Sequence, residues 1–120
     1  MRDHRKLRAF ELADQLALAI YTATKTFPKV EQFGLTSQLR RAAVSIASNI
    51  VEGCARSSEA DFMRFLDIAF GSVREVAYQL TLAERLGFMA SENAAELQEQ
   101  ADETARVLAG LLHKLRPSKS

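Results

Sequence analysis

Apolar residues recur along this chain at steps of three and four, the spacing that gathers side chains on one face of an α-helix. Phe10, Ala13, Leu16, Ala17, Ile20 and Ala23 form the first such stripe. It predicts a helix over about 7–26, ended where Pro28 disfavours helical backbone at Phe27. Leu39, Ala42, Ala43, Ile46, Ile50 and Gly53 form the second stripe and predict a helix over 36–54. Gly34 suits the turn before it, and Thr36 or Ser37 can cap its orphan N–H groups. The third stripe runs through Phe62, Phe65, Leu66, Ala69, Val73 and Val76 to Ala83 and predicts a helix over 58–86. Ser58 and Asp61 have the spacing of a capping box, and Gly87 is placed to serve as a left-handed cap. The fourth, from Ala94 and Leu97 through Leu108 to Leu115, predicts a helix over 91–115, with Pro117 beyond it. No segment alternates with the period of a strand. Short connections make successive helices antiparallel. The expected fold class is therefore all-α, an antiparallel up-down-up-down four-helix bundle forming a single domain over 1–120, a length that can bury its own core.

The second helix carries more apolar surface than one core requires. From Ala42 to Val51 it reads AAVSIASNIV, with no charge, whereas a helix packed on one side needs only a stripe. The third helix adds Met63, Phe70 and Ala77, seven residues apart, beside its main stripe. A lone bundle would expose part of this surface, and contiguous exposed apolar patches mark partners. The expectation is a homo-oligomer whose interface includes Val44, Ala47, Ser48 and Val51 of the second helix with Met63, Phe70 and Ala77 of the third. The alternative is that these residues face inward in a thick bundle or stand singly exposed. Asn49, between Ile46 and Ile50, is expected to be a satisfied buried polar group fixing register or assembly.

Composition narrows the chemistry. The chain is 48% hydrophobic and 26% charged, which argues against disorder. No uncharged apolar run approaches the roughly 20 residues of a membrane span, and no apolar signal stretch follows the charged first residues. Cys54 is the only cysteine, so no internal disulfide forms, as suits a reducing cytoplasm. Near Arg56 it reads either as a reactive thiol or as a small buried side chain, and the second is the usual case. His4 and His113 are far apart with no ligand cluster around them. A phosphate-binding glycine loop and a Glu-x-x-His motif are both missing. The expectation is a protein without catalytic residues, cofactor or metal.

Charge is uneven although the net is +1. Arg2, Arg5, Lys6 and Arg8 crowd the N-terminus, and Lys114, Arg116 and Lys119 the C-terminus. Residues 89–112 hold five acids against Arg106 alone. An even number of alternating helices brings both chain ends to one end of the bundle. These seven bases are therefore the candidate nucleic-acid contacts, a basic rim in a ring of subunits. The competing reading is that cations late in the fourth helix complement its dipole.

Several short stretches together resemble a known family. Residues 34–42 read GLTSQLRRA, 48–53 SNIVEG, 65–72 FLDIAFGS and 79–88 QLTLAERLGF, with Phe27-Pro28 between the first two helices. From about Phe10 to Leu115 the chain resembles the bacterial four-helix bundle proteins encoded in intervening sequences of 23S ribosomal RNA genes. The accessory protein of diversity-generating retroelements is a related member. The resemblance implies an up-down bundle assembled as a ring-shaped homopentamer, without enzyme activity. It also implies nucleic acid, or a nucleic-acid enzyme such as the reverse transcriptase of the retroelement relative, as a further partner. That relative uses a strongly basic surface, whereas bases and acids nearly balance here.

Overall fold

The computed structural model describes residues 1–117. Its helices are α1 (Arg8–Thr24), α2 (Leu35–Cys54), α3 (Glu59–Arg85) and α4 (Ser91–Leu115), with single 3-10 turns at His4–Lys6 and Lys29–Glu31. There is no strand among the described residues. The order is up-down-up-down. α1 and α3 each lie against both α2 and α4 and sit diagonally from one another. The bundle measures 48 × 26 × 20 Å.

The four stripes close on one core. Leu16 and Ile20 of α1, Leu39, Ile46 and Ile50 of α2, Leu66 and Leu80 of α3 and Leu108 of α4 are all fully buried. Ala13, Ala43, Ala69 and Ala101 are equally buried, and their small side chains let the helix axes approach closely. Two threonines also enter the core. The Thr24 and Thr104 hydroxyls donate to the carbonyls of Ile20 and Gln100, each at 2.8 Å, so neither is left unpaired. Phe65 departs from its stripe and is only half-buried. The Arg56 and Arg64 guanidinium groups lie 4.9 and 4.6 Å from its ring centre.

Local chemistry sets the helix ends. Ser58 Oγ accepts from the Asp61 N–H at 3.1 Å at the start of α3. Replacing Ser58 with alanine is expected to cost about 1 kcal/mol, read as a lower midpoint in urea unfolding. At the other end of α3, Gly87 has φ +79°. The Phe88 N–H donates to the Ala83 carbonyl at 2.9 Å, and the Gly87 N–H to that of Glu84 at 3.0 Å. These two bonds together make a Schellman turn, which needs a residue comfortable at positive φ.

The start of α2 differs from expectation. The helix begins at Leu35, and neither Thr36 nor Ser37 caps it. Glu31, in the preceding 3-10 turn, reaches forward so that its Oε1 accepts from the Leu35 N–H at 2.9 Å, while Thr36 is buried. The N-terminal segment is also ordered more tightly than its polar sequence suggests. Asp3 caps the His4–Lys6 turn by accepting from the Arg5 N–H. The Arg2 N–H donates to the Cys54 carbonyl at 2.8 Å, tying this segment to the end of α2.

Candidate interaction surfaces

The uncharged stretch of α2 does leave a row uncovered. Val44 and Val51 are 41% and 36% exposed, Ser48 between them is exposed, and Ala47 is half-buried against the core. Across the seam on α3, Ile68 is exposed. The seam itself is a short polar network. The Ser45 and Ser72 hydroxyls share a hydrogen bond of 2.9 Å. Asn49 Nδ2 donates to the Ser45 carbonyl at 2.8 Å and to its hydroxyl at 3.0 Å. Asn49 is half-buried rather than buried, and these bonds stay within α2.

The row expected on α3 does not join this face. Met63, Phe70 and Ala77 are half-buried. Met63 and Phe70 pack against the core of their own bundle. The Ala77 carbonyl accepts from Gln98 Nε2 of α4 at 2.7 Å, which turns this flank of α3 toward α4. The extra apolar residues of α3 are thus largely used within the bundle. Ile68, one turn before Ser72 on α3, stands exposed beside the Ser45–Ser72 contact.

The basic residues of the two termini do meet at one end, but most meet carboxylates there. Arg2 pairs with Glu59 at 3.2 Å, Arg5 with Asp3 at 3.0 Å, Arg8 with Glu103 at 2.7 Å and Arg116 with Asp67 at 2.9 Å. Exposed pairs of this kind add little stability each, yet every one places a negative charge beside the arginine. The pairing holds the Asp3 carboxyl below the usual carboxylate range, through hydrogen bonds from the Arg5 side chain and backbone. The Arg2 guanidinium lies 4.0 Å from the centre of the Phe62 ring. Lys6 and Lys114 are exposed without an ion pair among the described residues. Lys119 lies outside the described residues.

The Cys54 thiol is not set up as a nucleophile. Cys54 is buried, and loss of hydration pushes its thiol pKa up, away from the nucleophilic thiolate. No group of three His, Cys, Asp or Glu able to hold a metal occurs among the described residues. None of their helices is long and apolar enough to cross a membrane.

The sequence matches the family model of the 23S rRNA-intervening sequence proteins over residues 5–110. The chain belongs to this family. Its fold is similar to a crystal structure of a protein of unknown function from the S23 ribosomal protein family of Bacteroides thetaiotaomicron VPI-5482. The TM-score is 0.81 and the identity 24%, covering 88% of this chain and 95% of that one. No curated protein sequence matches the chain. Neither the family match nor the structural relative indicates a catalytic family.

The chain has one more open surface, unremarked in its sequence pattern. A groove of about 840 Å³ lies between α1 and α4 beside the α3–α4 turn. Leu18, Ala19 and Ala23 form one wall, and Phe88, Met89 and Leu97 the other. Alanines on the α1 side are what leave it unfilled. Phe27 packs at 5.7 Å, ring centre to ring centre, against Phe88 behind it. Asn93 and Glu96 stand on the α4 rim.

Proposed function

We propose that the chain is a non-catalytic, self-associating cytoplasmic module, a homopentamer, that acts as a scaffold for a binding partner. The observation that carries the reading is the outward row of α2. Val44, Ser48 and Val51 stand uncharged in water, with Arg41 toward one end of the row and Glu52 and Arg56 toward the other. An apolar centre with a charged rim is the anatomy of a protein–protein contact. The five-subunit ring comes from the family resemblance. Nucleic-acid binding is the weaker reading, since four of the six described candidate bases already face a carboxylate of this chain.

Native mass spectrometry of protein purified without nuclease tests the proposal. A bare five-subunit mass is the expected result. Replacing both Val44 and Val51 with lysine should weaken assembly by at least about tenfold in concentration, with helicity unchanged. A pentamer that carries nucleic-acid mass would favour the accessory-protein reading. A bare monomer at micromolar concentration would overturn self-association.

A further inference from the structure

Two features at one end of the bundle are out of place in an isolated chain. In the α1–α2 connection, Val30 and Phe33 are 86% and 90% exposed. They stand three residues apart on either side of Glu31, whose side chain is engaged in capping α2. Scattered exposed apolar residues are ordinary, but a valine and an aromatic ring three residues apart, each almost wholly in water, offer apolar surface to a partner. At the same end, the α1–α4 groove is lined by apolar side chains such as Leu18, Phe88 and Met89 together with polar ones such as Thr22, Asn93 and Gln100, and no described residue fills it.

We propose that these are the two halves of one contact: the 28–34 loop of one copy seats Val30 and Phe33 in the α1–α4 groove of a second copy. The proposal rests on the self-association argued above and states which surfaces meet. Charge agrees with it. Lys29 lies next to Val30, while Glu96 stands on the groove rim with Glu92 one turn before it. None of these three makes an ion pair among the described residues.

Height agrees as well. The groove is lined by the end of α1, the α3–α4 turn and the start of α4, which is the end of the bundle where the 28–34 loop lies. A contact between two different patches closes into a ring only when each step adds rotation without translation; otherwise it grows a filament. Knob and groove at the same end of the bundle keep any such translation small. The 3-10 turn that carries the knob packs on α2, whereas the groove lies between α1 and α4, so the two surfaces are distinct patches, as a head-to-tail contact requires. α2 follows the loop directly, and its outward row continues the seam away from the knob.

The test uses two full-length variants, Phe33→Asp to disable the knob and Leu18→Glu to disable the groove. Both positions are exposed, so each variant should keep its helicity and unfolding midpoint, which circular dichroism checks. Each alone should assemble at least about tenfold more weakly than the parent in sedimentation velocity. Mixed in equal amounts they should form 1:1 dimers and nothing larger, because each pair retains one intact knob and one intact groove. If both variants assemble like the parent, the knob-and-groove contact is wrong and self-association stands on another surface. If both are monomeric and the mixture stays monomeric, the two surfaces do not pair with each other. A parent chain that is itself monomeric throughout would remove the contact and the self-association together.

Discussion

Replacing Phe62 with alanine is expected to lower the unfolding free energy by about 3–5 kcal/mol, a large part of the stability of a domain of this kind. Phe62 is among the largest fully buried side chains, and it sits in the first turn of α3 where three parts of the chain converge. α2 ends against it at Gly53. The Arg2 guanidinium covers its ring, and the segment carrying Arg2 is tied to Cys54 next to Gly53. Truncation would therefore leave a void bounded by two helix ends and a pinned strap, none free to collapse into it, which places the loss in the upper part of the range for core truncations. Urea unfolding should show a lower midpoint with an unchanged slope. Hydrogen exchange at the Arg2 amide should rise with it, because the strap loses the ring it lies on. A loss below about 1 kcal/mol would mean that the ring is not packed as described.

The second large effect concerns sign as much as size. In a helix, glycine to alanine normally stabilises by up to about 1 kcal/mol. At Gly53 the change should instead destabilise by about 1–3 kcal/mol. A Cβ there would lie 2.9 Å from Phe65 Cβ and 3.3 Å from both Phe62 Cδ1 and the Phe62 carbonyl oxygen. The nearest of these atoms is attached directly to the α3 backbone, so relief requires the helices to move apart. Gly110 supplies the control, because a Cβ at that position meets nothing within 4 Å. Gly110→Ala should stabilise the chain while Gly53→Ala destabilises it in the same assay. Equal effects at the two sites would remove the close approach of α2 and α3 as the reason for glycine at position 53.

Much of the fold was legible because helix periodicity is a local property. The stripes predicted four helices, and Ser58 and Gly87 marked two ends that the structure places there, since their capping partners lie within a few residues. Contacts that depend on tertiary adjacency were not legible. Glu31 caps α2 from a separate 3-10 turn, where its side chain meets the Leu35 N–H ahead of the threonine and serine that sequence rules favour. Arg116 and Asp67 are 49 positions apart, and only the antiparallel packing of α3 and α4 makes them a pair. The basic termini could be read as charges, but not as charges already opposed. Likewise, apolar spacing placed Met63 and Phe70 beside the main stripe without saying whether that flank meets α4 or solvent. The groove was invisible for a related reason. Ala19 and Ala23 are ordinary helix residues until the register of α1 against α4 sets them opposite the α3–α4 turn.

The anchoring of residues 2 and 116 at one end of the bundle has a consequence for the connectivity of the chain. With both residues fastened there, to Glu59 and Asp67 near the start of α3, the covalent order of the helices is close to interchangeable. A flexible linker of about ten residues is long enough to cross a bundle only 20 × 26 Å in section. Joining the original termini in this way and opening the backbone within 88–90 would create a circular permutant that begins with α4 and breaks no helix. All four helices would keep their neighbours, while the new termini would emerge beside the groove instead of opposite it.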